Sequence, residues 1–270
     1  MADLFHGVRL TPTQRRIAQC LVQHAASAAY LSAAEVADLA GVSQPSVTRF
    51  AVALGYAGYP ALRRELRAMV GVGPVEAAAH NPMQRAVQAE ADHLSRLVDH
   101  LDDLDAVARA AALLAASRPL PVLGLRAAAP LAGYFGYFAA KVHPDVRVLD
   151  SGGTHLFDRL DQARAAGAGA MLAIVLPRYP RETLDAIRAA KAANLGVVAI
   201  TDSAVSPAAD CADIVLPAAV GTQLVFDLHT GPMAMAMVLL QAICDAAPGP
   251  AQRRLEEFEV TAARRHIFEA

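Results

Sequence analysis

Two periodicities divide the chain. As far as about residue 117, apolar positions recur at spacings of three and four, the pattern of helices that bury one face. From Leu120 onward, short apolar runs alternate with helical stretches: Leu120–Leu125, Val146–Leu149, Met171–Leu176, Val197–Thr201 and Ile214–Leu216. Runs that are apolar on successive residues are strands buried on both faces, which predicts a parallel sheet between layers of helices. The expected fold class is therefore α/β, an all-α head followed by a parallel-sheet α/β sandwich. Residues 10–70 read as short helices with tight turns. Gly71–Pro82 is rich in Gly, Pro and Ala and reads as a linker. Residues 83–117 read as helix with a break at Leu101-Asp-Asp, where Asp102 or Asp103 caps the second piece. The expected boundaries are 1–72 for the head, 73–117 for linker and connecting helices, 118–247 for the α/β domain, and 248–270 for a polar helical tail.

The most specific pattern is Ser32 to Gly55. Ser32 precedes Glu35 by three, the spacing of a capping box that starts a helix. Ala37 is small enough for two helices to cross closely, and Gly41 follows where the chain must leave the helix in a left-handed conformation. Ser43 caps the next helix and Pro45 sits in its first turn. Val36, Leu39, Ala40, Val42, Val47, Phe50 and Leu54 form the inward set. That leaves Gln44, Ser46, Thr48 and Arg49, with Ser43, on or near the outward face of the second helix. Short polar groups and one Arg at the start of an exposed helix suit reading of the DNA major groove. Gly55 and Gly58, with Tyr56 and Tyr59, read as a turn that closes the head.

Charge sharpens this picture. The 270 residues carry a net charge of −2, but residues 1–70 hold seven Arg against four acids, a balance of +3. A basic head on an acidic body fits a nucleic-acid partner for the head alone. Mean hydropathy is +0.31, yet no run of 18 apolar residues occurs. The first nine residues lack the basic-then-apolar order of a signal peptide. Cys20, Cys211 and Cys244 are far apart, without a CxxC pair, so neither a disulfide framework nor a zinc knuckle is expected and a reducing cytoplasmic setting fits. The nine His residues show no metal-binding spacing, and we expect neither metal nor cofactor. His93 and His100 are expected to face water. Tyr134, Phe135, Tyr137 and Phe138 read as core or as a dimer interface.

Leu10-Thr-Pro-Thr-Gln-Arg-Arg-Ile-Ala18, Leu31-Ser-Ala-Ala-Glu-Val-Ala37, Val42-Ser43, Val47-Thr-Arg-Phe50 and Leu54-Gly-Tyr-Ala-Gly-Tyr-Pro60 with Leu62-Arg63 resemble the N-terminal domain of the RpiR/MurR family of bacterial transcriptional regulators. The resemblance runs over nearly all of residues 8–70. It implies that the head binds operator DNA and that the α/β stretch is a sugar isomerase (SIS) domain sensing a phosphosugar or related metabolite. Such domains usually carry Gly-x-Gly-x-Ser after the first strand and Ser-x-Ser-Gly-x-Thr after the third. Here the second Gly of the first motif is Arg126 and its Ser is Ala128. The second motif is replaced by Pro177, Arg178, Tyr179, Pro180 and Arg181, with Thr183 following.

Hydroxyls are thus lost and cations gained where open parallel sheets bind ligands. Arg126, Arg178 and Arg181, with Tyr179, Thr183 and Ser203, are the expected effector-binding residues, since Arg bonds phosphate or carboxylate in bidentate fashion. Ser206 reads either as a further pocket residue or as the cap of a short helix with Pro207 at its first position. Asp227 and His229 stand as candidates for the pocket rim. The expectation is a cytoplasmic, non-enzymatic, DNA-binding regulator, at least dimeric, that responds to a small anionic metabolite. The alternative reading is a phosphosugar isomerase with an accessory helical domain, for which Glu182 and His229 are the candidate bases. A third is a SIS-like domain that serves only to dimerise.

Overall fold

The structure, a computed structural model, describes residues 10–24, 31–70 and 81–268. It divides into two compact units, one of the residues up to Pro82 with Ser203–Ser206, the other of Met83–Asp202 and the residues from Pro207 on. The residues before Leu10, and all of the expected linker but Asn81 and Pro82, lie outside the described residues.

The head contains α1 (Pro12–Gln23), α2 (Ala33–Ala40), α3 (Gln44–Ala53) and α4 (Tyr59–Val70). Its start and stop signals are local. Thr11 and Gln14 form a capping box on α1, and Ser32 and Glu35 form the expected one on α2. Gly41 ends α2 at φ 62°, and its amide reaches back to the carbonyls of Ala37 and Asp38. Each helix sends its apolar stripe to one core: Ile17, Ala18 and Leu21, Val36 and Ala37, Val47 and Phe50, and Tyr59, Leu62 and Leu66. Leu39, expected inward, is instead 53% exposed. The buried stripe of α2 is centred between Val36 and Ala37, and at 100° per residue Leu39 falls on its flank. Gly55 and Gly58 take φ of 88° and 143° in the closing turn. Beyond it Tyr59 packs inward and donates to the Leu31 carbonyl at 3.1 Å.

The second unit begins with α5 (Pro82–His100) and α6 (Asp105–Ala116). The break falls where expected, and Asp103 accepts the Asp105 amide at 2.9 Å. The order then runs β1 (Leu120–Leu123), a 3-10 turn (Arg126–Ala128), α7 (Ala129–Val142), β2 (Val146–Leu149), α8 (Thr154–Ala165), β3 (Ala170–Val175), α9 (Arg181–Ala192), β4 (Gly196–Thr201), β5 (Ile214–Pro217), α10 (Thr230–Ala246) and α11 (Pro248–Arg264). The five strands are parallel in the order β2-β1-β3-β4-β5.

Alternation along the strands sends side chains to two cores. Val122, Leu172, Ile174, Val198 and Ile200 meet α6, α7 and α10 on one face. Leu123, Met171, Ala173, Val175, Val197 and Ala199 meet α8 and α9 on the other. Buried Ser117 knits the start of the sheet, donating to the Pro119 or Ala170 carbonyl and accepting from the Gly169 and Ala170 amides.

Strand β1 stops two residues before its expected end at Leu125. A Cβ on Gly124 would lie 2.6 Å from the Ala128 carbonyl oxygen, so the chain turns tightly there and only Gly fits. The segment after β4 differs too. Ser206 and Pro207 lie in consecutive turns rather than opening a short helix. Of the aromatic cluster, Phe135 is core, whereas Tyr134 and Tyr137 are exposed and stack edge-on against Phe138. No single helix among the described residues is long and apolar enough to cross a membrane.

Candidate functional sites

On the head, α3 is the exposed helix of the motif. Val47 and Phe50 anchor its inner face, and Gln44, Thr48 and Arg49 are exposed. Gln44 and Thr48, four apart, share one face. Ser43 holds the N-cap position but makes no capping bond, because its hydroxyl pairs with that of Ser46 at 2.9 Å. Arg49 folds back along the helix, donating to the Pro45 carbonyl and the Ser46 hydroxyl, each at 3.4 Å. Ser43, Ser46 and Arg49 thus form one polar cluster beside the Gln44–Thr48 face. Long, exposed bonds of this kind break at little cost when a better acceptor arrives.

On the body, the strand order reverses between β1 and β3: β2 lies on one side of β1, while β3, β4 and β5 follow on the other. The crevice beyond the carboxyl ends of two such strands is where open α/β sheets bind ligands. Arg126 follows β1 and Arg178 follows β3, so both stand at that reversal. Both hold left-handed backbone, at φ 58° and 67°. A side chain in this region costs about 1–2 kcal/mol, and strained residues of this kind gather at functional sites.

Arg181 opens α9, which has no side-chain cap. All three arginines are exposed, and none of their side chains makes a hydrogen bond or ion pair among the described residues. Unpartnered guanidinium groups beside an uncapped helix N-terminus make an electropositive mouth.

The other expected residues are placed differently. Tyr179 is half-buried and donates to the Asp202 carboxylate, 2.8 and 3.0 Å from its two oxygens. It thereby ties the loop after β3 to the end of β4. Thr183 is 1% exposed and its hydroxyl is sealed without a partner, so it lies beneath the mouth rather than in it. Ser203 accepts the Val205 amide at 3.2 Å within its own turn. Glu182, a candidate base of the isomerase reading, accepts the Gly153 amide at the start of α8. Its carboxylate serves as a helix cap there. His229, the other candidate, holds the N-cap position of α10.

One buried acid escaped the reading of the sequence. Glu90 on α5 is 6% exposed, with Oε1 sealed and unpartnered. Its other oxygen lies 3.3 Å from His93 Nδ1. His93, expected to face water, is only 16% exposed at its side chain, because Glu90 draws it inward. The signal was present in the spacing: Ala86, Glu90, Leu94 and Leu97 share one helical stripe, and an acid on an apolar stripe is out of pattern.

A helical motif with an exposed polar second helix is thus followed by a parallel α/β domain with three exposed arginines in the loops at its carboxyl edge. Residues 6–70 match the helix-turn-helix domain of the rpiR family. The chain carries an RpiR-family head on a SIS-type body. A curated HTH-type transcriptional regulator of Escherichia coli (strain K12), YfhH, itself uncharacterised, is 42% identical over 57 residues, which span 21% of this chain and 20% of that protein's length.

The sugar isomerase domain of an RpiR transcription factor from Sphaerobacter thermophilus covers 64% of this chain and 97% of its own. It does so at 27% identity and a TM-score of 0.57. Vibrio vulnificus NanR, solved with ManNAc-6P, shares the fold over 97% of both chains, at 17% identity and a TM-score of 0.57.

Proposed function

We propose that this protein is a transcriptional regulator whose α3 helix reads operator DNA and whose body senses a small anionic metabolite. The observation that carries the sensor half is the pair of unpartnered, left-handed arginines at the strand reversal, Arg126 and Arg178. With Arg181 they supply charged donors where other SIS domains supply neutral serine hydroxyls, and the anion is a phosphate or carboxylate. NanR, which shares the fold, was solved in complex with ManNAc-6P, which supports a ligand of that size. On the head, Gln44, Thr48 and Arg49 contact base edges, and Ser43 and Ser46 contact the backbone.

Two heads on half-sites about one helical turn apart give the affinity, so the working form is at least a dimer. The metabolite acts by binding the DNA-competent and DNA-incompetent forms with different affinity. Glu182 is engaged at the N-terminus of α8, which favours regulation over isomerase chemistry.

The test is a DNA-affinity measurement at fixed salt, with the upstream regions flanking the gene as probe and random duplex as control. Repeating it with sugar phosphates and sugar acids tests the sensor. Specific binding that shifts at least fivefold with one of these anions supports the proposal. Equal affinity for both DNAs, with no anion bound, overturns it.

A further inference from the structure

Away from the arginine loops, α11 packs along α7. The two helices bound a groove of about 460 Å³, walled by Tyr137 and Lys141 of α7 and by Arg254, Glu257, Phe258 and Thr261 of α11. That volume suits a small molecule. We infer that this groove is a second binding site, for an aromatic carboxylate that carries a hydroxyl or amino group on its ring. It is separate from the sensor crevice. Helix α7 runs from the carboxyl end of β1 back to the amino end of β2, and Tyr137 and Lys141 lie in its second half.

Two cations meet in the groove without an acid. Lys141 Nζ stands 4.5 Å from the centre of the Tyr137 ring, 5.2 Å from that of Phe138 and 4.2 Å from that of Phe258. The rings hold the ammonium by their negative faces, yet Lys141 makes no ion pair among the described residues. Arg254 is half-buried. It donates to the Ala140 carbonyl at 3.1 Å, and its Nε is sealed without an acceptor. Partly buried charges are usually paired, and here the exposed Glu257 pairs with neither cation.

The walls narrow the class of anion. The groove adjoins the C-terminal end of α7, whose carbonyls carry partial negative charge, and Glu257 adds its own. Both resist a dianion such as phosphate and leave room for the single charge of a carboxylate at Lys141. A carboxylate on Nζ carries its own ring against those of Tyr137, which is 57% exposed, and Phe258. Offset and edge contacts between rings are favoured there. Ionised Glu257 can only accept, so a ring hydroxyl or amino group completes the fit.

The experiment is calorimetric titration of the full chain with para-hydroxybenzoate, benzoate and the saturated para-hydroxycyclohexanecarboxylate. We expect wild type to bind para-hydroxybenzoate at least fivefold tighter than either of the others. Lys141→Gln should weaken that binding at least tenfold. Tyr137→Leu should erase the advantage over the saturated ring, and Glu257→Ala the advantage over benzoate. All three side chains are at least partly exposed, so the Tm of each variant should hold.

A loss in Arg178→Ala as large as that in Lys141→Gln would place the acid in the arginine crevice and overturn the inference. Equal binding of the aromatic and saturated rings by wild type would overturn it as well, as would binding of neither. If neither binds and sedimentation shows Tyr137→Arg dissociating a dimer, the face belongs to a second copy of the chain.

Discussion

The head and the ligand edge of the body were built by different rules. In the head, the side chains offered outward sit on α3, a helix whose inner face is pinned by Val47 and Phe50. Its exposed polar residues are placed by helical geometry alone. At the body's edge, the offered side chains sit on loops, and two of them occupy strained backbone. A helix presents a fixed pattern to a partner of fixed shape, such as a DNA groove. A strained loop between rigid strands presents charge where a small ligand must enter. The comparison teaches that the head is specified by packing, and the edge by what the sheet forces its loops to do.

Phe50→Ala breaks the head side of the comparison most severely. Phe50 is fully buried, and its removal should cost about 3–5 kcal/mol, read as a lowered denaturation midpoint. A loss below about 1 kcal/mol would mean that α3 is not pinned as described. On the edge side, Arg178→Ala should weaken anion binding tenfold to hundredfold, about 1.5–3 kcal/mol for a charge-assisted bond. DNA affinity without metabolite should hold; calorimetry and a DNA titration read the two.

Gln44→Ala and Arg49→Ala should each cost about 1–3 kcal/mol of specific DNA binding if they make bidentate base contacts, while the fold survives. Unchanged affinity in both variants would remove α3 from the reading role. Arg126→Gly separates strain from charge. It should raise stability by about 1 kcal/mol, because Gly takes φ 58° without a Cβ penalty, and at the same time weaken anion binding. Thermal melting and titration of the one variant check both.

The smallest effect concerns the α2 capping box. Ser32→Ala should cost about 1 kcal/mol of head stability. The Ser32 amide, and then its hydroxyl, hold the Glu35 carboxyl below its usual value. This contribution is present above the unfolded-state pKa and is lost as pH falls through the depressed folded-state value. Acid melting curves should therefore converge for wild type and Glu35→Gln, which removes the titrating carboxyl, as the pH drops.

Local signals were legible and distant pairings were not. The Ser32–Glu35 box, the left-handed Gly41 and the break before Asp105 were readable because each involves residues a few positions apart. The central strands β1, β3 and β4 were readable because a strand buried on both faces has no polar position to hide its pattern. Leu39 was misplaced because an eight-residue helix gives too few positions to centre its stripe. The turn at Ser206 was misread because a Ser-Pro pair starts turns as readily as helices. Tyr179 with Asp202, and Glu90 with Gly221, join residues far apart in the chain, and no spacing announces such pairs.

By itself, then, the amino-acid order determined the helix-turn-helix head, the parallel α/β class and the places where arginines follow strand ends. These follow from periodicity, capping and the fixed place of loops after strands. Only the tertiary structure decided that Arg126 and Arg178 follow neighbouring strands at the reversal, since the order β2-β1-β3-β4-β5 is a matter of packing. It alone turned Glu182 into a cap for α8, sealed Thr183, and buried Glu90 against the backbone of Gly221. Burial and long-range contact set those roles, because whether a polar atom meets water or a partner depends on what the rest of the chain brings to it.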